Sequence, residues 1–317
     1  MILEISTHGS YLKRKQDVFI ITNNEIKTEI PAEKVESIII TANASISTQA
    51  IQLCIEKEIQ LIIAEWSGRP IGRFWVSTQG KSTEIRRMQY ANMNSDTGLE
   101  ISKEIVGLKL KRQRRLLSEL KNNRPTTIPH LESAIQSIGD TIAKFNNRTL
   151  FDKSTLLGLE GSCATQYFKA ISECLPKKWR FKQRSQNPAL DEFNSVLNYM
   201  YSLGYSTVEK IIILSGLDPN AGFYHADSYG KPTLSFDLIE LSRPSMDRTV
   251  ISLFTKKKAR DNWFEINDVS KKLGIYLSKD ARRTIISDFS EKNKKAIEVD
   301  SWNFCRRIIE KISENTK

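Results

Sequence analysis

The stretch Asn92-Met93-Asn94-Ser95-Asp96-Thr97-Gly98 divides the chain into two parts whose hydrophobic patterns differ. Before it, short apolar runs alternate with turn residues, which is typical of β-strands; after it, apolar residues recur at helical spacing. A cluster of Asn, Ser, Asp and Gly favours a loop. We therefore predict an N-terminal domain over residues 1–92, a linker over residues 93–98 and a larger domain over residues 99–317.

The N-terminal part is predicted to be a small β-rich domain. Residues 17–22 and 25–30 flank Asn23-Asn24, which is the pattern of a β-hairpin. A helix is expected over residues 48–58. Further apolar runs predict strands over residues 37–41, 59–64 and 71–76.

The longer C-terminal part is predicted to be mostly α-helical. Residues 99–120 carry apolar side chains at helical spacing, with a basic opposite side, and residues 306–313 have the same period. Together the two parts predict an α+β fold, in which a small N-terminal β-rich domain precedes a larger α-helical domain.

Length and charge limit the class of protein. With 317 residues, 39% of them hydrophobic, the chain is long enough for two domains with cores of their own. Residues 1–98 contain equal numbers of acidic and basic side chains, so the net charge of +11 belongs to residues 99–317. The basic residues concentrate at 109–115, 177–184 and 256–260.

These basic clusters favour nucleic acid as a partner. Trp179 and Phe181 lie within one of them, and such a groove offers cations to phosphates and rings to bases. A solvated lysine-rich surface explains any single cluster equally well.

Cysteine usage and the absence of long apolar runs indicate a cytoplasmic protein outside the membrane. The four cysteines form no CxxC pair or metal-finger spacing, which gives no support to a zinc site or a disulfide framework. The segment Met1-Ile2-Leu3-Glu4-Ile5 lacks the pattern of a secretory signal. No apolar run approaches the roughly twenty residues that a transmembrane helix needs.

Glu160 is the first candidate site residue. It lies in the run LLGLEGSCATQYF (156–168), on a stripe of apolar residues that helical spacing places along one face. A buried carboxylate needs a cation or an arginine to remain charged. Candidate arginine partners are Arg180, Arg243 and Arg248.

His225, Asp237 and Glu240 complete the candidate set. His225 ends a turn-rich segment that suits a rigid loop, and Asp237 and Glu240 are three residues apart, so that a helix places both on one face. Two carboxylates and an imidazole suit Mg²⁺ or Mn²⁺ better than a thiolate-loving metal. A lone loop histidine is more often a surface residue, and spacing alone leaves open whether the segments meet.

Three runs in this order resemble the signature blocks of the universal CRISPR-associated integrase, the family numbered one in that set. They are LLGLEGSCATQYF (156–168), GLDPNAGFYH (216–225) and LSFDLIELSRPSMDR (234–248). Residues 187–189 and 197–199 resemble the block that links the first two. The likeness spans the chain, and Cys163 departs from it where the family more often has alanine.

The resemblance implies an activity and a site. The helical domain would be catalytic, with Glu160, His225 and Glu240 as ligands of Mg²⁺ or Mn²⁺ and Asp237 as a neighbouring acid. The reaction would insert short foreign DNA fragments, or spacers, into the repeats of a CRISPR array through attack by a 3′-hydroxyl. The resemblance also implies a homodimer formed through the β-rich domain and a complex with the small second CRISPR adaptation protein.

Two other interpretations remain open at the level of sequence. The chain could be a stand-alone metal-dependent nuclease that acts on branched or single-stranded DNA with the same residues. It could instead be a non-enzymatic DNA-binding scaffold whose acidic residues pair with arginines.

Overall fold

A computed structural model describes residues 1–23, 26–65, 70–74, 82–123, 129–146, 152–186, 188–225, 231–269 and 272–315. Its strands are β1 (Ile2–Ile5), β2 (Tyr11–Lys15), β3 (Val18–Asn23), β4 (Ile26–Pro31), β5 (Ser37–Ile40), β6 (Ser45–Ile46), β7 (Gln60–Ala64), β8 (Pro70–Phe74), β9 (Phe264–Val269) and β10 (Lys272–Leu277). Its helices are α1 (Thr48–Glu56), α2 (Ser82–Asn92), α3 (Asp96–Asn122), α4 (Pro129–Asn146), α5 (Lys153–Cys174), α6 (Glu192–Leu214), α7 (Thr233–Ile239), α8 (Arg243–Thr255), α9 (Lys279–Lys292) and α10 (Lys294–Glu314). None of the described helices is long and apolar enough to cross a membrane.

The N-terminal strands form two sheets, which confirms a β-rich start to the fold. One sheet has the order β1-β5-β7-β8 and is parallel except for β8; the other has the order β4-β3-β2-β6. The predicted hairpin is β3 paired antiparallel with β4. Its predicted Asn23-Asn24 turn lies partly outside the described residues, as do residues 75–76 of the last predicted strand. Strands β1 and β2 were not predicted.

Alternating side chains of β5 place the first sheet between two cores. Ile38 and Ile40 pack into a core shared with α1 and the second sheet, whereas Ile39 packs into the large helical core. Successive side chains of a strand point to opposite faces, so a continuous apolar run is expected where both faces are covered. The run of isoleucines therefore joins the two parts of the molecule.

The helical part begins earlier than the sequence indicated. Ser95 caps α3 by accepting a hydrogen bond from the Gly98 amide at 3.3 Å, so the helix begins at Asp96 instead of residue 99. Only residues 93–95 separate α3 from α2, which was not predicted and packs against α10. The domain boundaries stay predictions.

The predominance of helix after residue 95 confirms the predicted fold class. The exception is the antiparallel hairpin of β9 and β10, which the helical period did not indicate. A buried ion pair also connects the two parts, because Arg282 Nε donates to Glu4 Oε1 at 2.9 Å. Since few conformations satisfy such a pair, it fixes α9 against β1.

Candidate active site

Helix α5 carries Glu160 toward the interior. The helix is capped by Asp152, whose carboxylate accepts from the Thr155 amide at 2.8 Å. Leu156 and Cys163, which share the face of Glu160, are buried, and the Glu160 side chain itself is 17% exposed. The carboxylate therefore lies at the border between the helical core and solvent.

The partner of Glu160 is a lysine that sequence reasoning had assigned to a basic surface cluster. Lys109 of α3 is only 4% exposed, and its ammonium contacts Glu160 Oε1 and lies 2.6 Å from Glu240 Oε2. The predicted alternatives are engaged elsewhere: Arg243 with Glu240, Arg248 with Glu119, and Arg180 with backbone carbonyls. One ammonium thus joins the first and third signature segments.

Glu240 is an ionised carboxylate in the interior. It follows the last residue of α7 and is 2% exposed. Its Oε1 atom, which does not face Lys109, lies 2.5 Å from Arg243 Nη1. Burial acts to raise the pKa of Glu240, but Arg243 and Lys109 outweigh it and hold the pKa below its ordinary value. Burial likewise acts to lower the pKa of Lys109, and the charges of Glu240 and Glu160 raise it above its ordinary value.

Asp237 organises the loop that carries His225. This fully buried carboxylate accepts hydrogen bonds from the amides of Phe223, Tyr224 and His225 at 2.6, 2.9 and 2.9 Å. It also lies 2.7 Å from His225 Nδ1. Because a carboxylate accepts, this contact favours the neutral-ring tautomer that carries its proton on Nδ1 and leaves Nε2 as the acceptor. Asp237 and Glu240 therefore serve different partners, although they are three residues apart.

A glycine allows this loop to approach α7. A Cβ atom on Gly222 would lie 2.9 Å from Asp237 Oδ2 and 3.0 Å from Thr233, which is closer than side chains tolerate. Thr233 Oγ1 accepts from the Gly222 amide at 2.9 Å and donates to the Asn220 carbonyl at 2.6 Å. Backbone contact of this kind holds the imidazole in one place.

Gln89 of α2 braces the other end of the same loop, and sequence reasoning missed it. Its side-chain amide donates to the carbonyls of Asp218 and Ala221 at 3.0 and 2.7 Å and accepts from the Asp218 amide at 2.8 Å. A polar residue on the inner face of α2 was the available signal, but that helix had not been recognised.

If His225 is a metal ligand, as predicted, replacing Gln89 by alanine should lower the activity that depends on it about 10- to 100-fold, the range seen when a group that orients such a ligand is removed. The three hydrogen bonds would be lost and the loop would no longer hold His225 in one position. Gln136→Ala, on the exposed side of α4, is the matched control. Normal DNA cleavage by Gln89→Ala would show that the loop keeps its conformation without this brace.

The hydroxyl of Tyr224 is an unsatisfied polar group that is influenced by the charges of Glu160 and Glu240. Its buried hydroxyl has no hydrogen-bond partner among the described residues. Burial raises the pKa of Tyr224, and the negative charges of Glu160 and Glu240 raise it further. Buried hydroxyls are seldom left without a partner, so this one indicates room for a ligand or water.

The donor atoms suit a hard divalent cation, although the side chains are not gathered around one. Within the described ranges, no three His, Cys, Asp or Glu side chains lie close enough to hold a metal ion. They meet instead as two pairs, with Lys109 between Glu160 and Glu240 and with His225 on Asp237. Two carboxylates that share one cation, a free imidazole nitrogen and the Tyr224 hydroxyl fit Mg²⁺ or Mn²⁺.

Phe181, one of the two predicted stacking aromatics, belongs to the core, which corrects that part of the nucleic-acid interpretation. Phe181 stacks on Phe193 with ring centres 4.8 Å apart, and Trp179 packs against Phe254 and Phe264. Phe181 is buried in the helical core, whereas Trp179 is partly buried against that core with the Lys178 ammonium 4.7 Å over its ring. Several basic residues of the clusters at 177–184 and 256–260 are nevertheless exposed and can contact phosphates. They include Lys177, Lys182, Lys256, Lys257 and Arg260.

Known proteins resemble the whole chain. The family model described as CRISPR associated protein Cas1 matches residues 3–291. A Cas4/Cas1 fusion from Leptospira interrogans is 32% identical over 89% of this chain, which spans 52% of the fusion. The endonuclease Cas1 1 of Archaeoglobus fulgidus is 28% identical over 92% of this chain and 88% of its own length.

Solved structures share the fold. A Cas1 protein from Thermotoga maritima superposes with a TM-score of 0.79 at 19% identity, over 98% of this chain and 97% of that one. A casposase bound to integration product gives 0.80 at 21% identity, over 98% and 91%. The family match, the order of the three signature blocks and the shared fold agree: the chain belongs to the Cas1 family of CRISPR-associated proteins.

Proposed function

We propose that this chain is a metal-dependent DNA integrase and endonuclease that inserts spacer fragments into a CRISPR array. The observation that carries the proposal is the convergence of Glu160 and Glu240, from α5 and the end of α7, on the single ammonium of Lys109. His225, held by Asp237, is near enough to act electrostatically on Glu240. Membership in a family whose curated members include endonucleases supports this choice.

The reaction exchanges one phosphodiester for another. The 3′-hydroxyl oxygen of the spacer forms a bond to phosphorus, and the bond from phosphorus to the repeat strand's 3′ oxygen breaks. The attacking hydroxyl loses its proton to solvent, and the leaving 3′ oxygen takes one from solvent to become a hydroxyl. The number of phosphodiester bonds is unchanged, so no external energy source is required. Water in place of the hydroxyl gives hydrolysis and hence endonuclease activity.

We assign three ligands to Mg²⁺ or Mn²⁺: the carboxylates of Glu160 and Glu240 and the Nε2 atom of His225. Such an ion supplies charge stabilisation at the phosphoryl group and lowers the pKa of a coordinated hydroxyl. Asp237 keeps the imidazole in the tautomer that leaves Nε2 free, and Arg243 stays on the far oxygen of Glu240. The buried Tyr224 hydroxyl, which has no hydrogen-bond partner among the described residues, is available to a ligand or water at the site.

DNA, a second copy of the chain and the small second adaptation protein are the proposed partners. Similarity in fold to a Cas6-RT-Cas1–Cas2 complex, with a TM-score of 0.82 over 99% of this chain and 35% of that one, supports the last of these. The β-rich part is the proposed dimerisation domain, since Ile71 and Phe74 of the edge strand β8 are exposed.

An integration assay tests the proposal. The protein is mixed with a repeat-containing plasmid and a labelled short duplex, with Mn²⁺, with Mg²⁺ or with EDTA, alone and with the second adaptation protein. Covalent transfer of label to the plasmid with metal and none with EDTA is expected. Cleavage without joining, even with the second protein present, would favour the stand-alone nuclease, and binding without either reaction would favour the scaffold.

Reversing charge at Lys256 and Lys257 should weaken binding of unrelated DNA sequences alike. Both side chains are exposed just after α8 and would contact phosphates, each of which contributes about 0.9 to the slope of log affinity against log salt. The slope should therefore flatten by about two in a salt titration of the Lys256→Glu, Lys257→Glu variant. Lys27→Glu and Lys57→Glu in the β-rich part, also exposed, are the control. An unchanged slope would remove this surface from the DNA-binding site.

A further inference from the structure

We propose that Lys109 is a built-in counter-ion, which holds Glu160 and Glu240 together in the metal-free protein and must leave when a divalent ion binds. This inference rests on the proposed function, because it assumes that the two glutamates are the metal ligands. It assigns to Lys109 a role in setting metal affinity that is separate from DNA binding.

Position is the first argument. The Lys109 ammonium contacts Glu160 Oε1 and lies 2.6 Å from Glu240 Oε2, so it stands where a cation shared by these carboxylates would stand. Within the described residues its ion pairs are with these two acids alone. A monovalent ammonium and a divalent ion cannot occupy the same place, so one excludes the other.

Burial is the second argument. Two nearby carboxylates that lacked a cation would repel each other in the interior, where water screens poorly. Lysine supplies that cation from within the fold at 4% exposure. The metal-free protein is thereby kept folded, while any arriving ion has to compete with a tethered charge that is always present.

Arg243 also contacts Glu240, but other residues hold its guanidinium in place. Its guanidinium donates to the Tyr205 hydroxyl at 2.6 Å and lies over the Tyr201 ring at 5.1 Å, in addition to its bond to Glu240. Tyr201 is fixed in turn by Asp247 at 2.5 Å. Of the two cations on Glu240, Lys109 is therefore the one whose ion pairs, among the described residues, are all with the two proposed ligands, and it is the one that leaves.

The experiment compares Mn²⁺ binding by calorimetry in wild type, Lys109→Met and Lys111→Met. Methionine keeps the four-atom stem of the lysine side chain and removes its ammonium, and Lys111 is an exposed neighbour on the same helix. Lys109→Met should bind Mn²⁺ at least tenfold more tightly than wild type, melt at a lower temperature in EDTA and gain more from added Mn²⁺. Lys111→Met should match wild type. Equal or weaker Mn²⁺ binding by Lys109→Met overturns the proposal.

A double variant covers the case in which Lys109→Met does not fold without metal. Adding Glu160→Gln removes the unpaired carboxylate, so the melting temperature in EDTA should return toward that of wild type. A double variant no more stable than Lys109→Met contradicts the counter-ion role. Failure of the proposed function has a different signature: Glu160→Gln alone would then keep the wild-type Mn²⁺ affinity, whatever Lys109→Met does.

Discussion

Glu160→Gln should reduce both strand transfer and DNA cleavage by about a thousandfold. Glutamine keeps the shape of the side chain but removes the charge that would hold a divalent ion, and loss of roughly 4 kcal/mol of transition-state stabilisation corresponds to three powers of ten in rate. Single-turnover rates with saturating DNA measure the effect. Duplex affinity should change little, because Glu160 is mostly buried and supplies no positive charge to phosphates.

The matched control is Glu173→Gln on the same helix. Glu173 lies about 20 Å further along α5, where it pairs with His130 at 2.6 Å. This variant should cleave and join DNA like wild type. If Glu160→Gln stayed within a few fold of Glu173→Gln, Glu160 would have no part in the chemistry.

Asp237→Asn and Glu240→Gln should fail in different ways. The Asp237 carboxylate accepts three backbone amide hydrogen bonds and contacts Nδ1 of His225. In asparagine an NH₂ group replaces one carboxylate oxygen, and it would face N–H groups from which it cannot accept a hydrogen bond. We expect a lower melting temperature and an activity reduced about 10- to 100-fold that partly recovers at higher Mn²⁺. Glu240→Gln removes a predicted ligand, so its activity should be lost at every Mn²⁺ concentration.

Asp288→Asn separates general destabilisation from damage to the site. Asp288 is a buried acid on α9 that pairs with Lys258 and Lys292, on a helix that carries no predicted site residue. It should lower the melting temperature without changing the dependence of activity on Mn²⁺. Recovery of Glu240→Gln at high Mn²⁺, together with no recovery of Asp237→Asn, would exchange the two roles.

Local sequence patterns predicted the strands and helices whose secondary structure does not depend on contacts with distant segments. The hairpin of β3 and β4 follows from two apolar runs about a turn, β5 from a continuous apolar run and α3 from its helical period. Strands β1 and β2 were missed because they are short, and β1 is recognisable only through its pairing with β5.

The contacts that build the site were beyond reach from sequence, because they join distant segments. Lys109 and Glu160 are 51 residues apart, and Gln89 and Asp218 are 129 apart. The sequence did contain a signal for Lys109, because it interrupts the buried apolar stripe that includes Ile105 and Leu116 on α3. Its basic neighbours made it look like part of an exposed basic cluster. Phe181 was misjudged for the same reason: a ring in a basic segment resembles a stacking platform until its packing against Phe193 is known.

The central claim is that Glu160, Glu240 and His225 hold a divalent ion in the place that Lys109 now occupies. Crystals of the protein soaked in Mn²⁺ and measured at a wavelength where manganese scatters anomalously test this most directly. We expect an anomalous peak about 2 Å from a carboxylate oxygen of each glutamate and from Nε2 of His225, with the lysine ammonium moved away. An ammonium still seated between the two carboxylates, with manganese bound elsewhere or nowhere, would contradict the account.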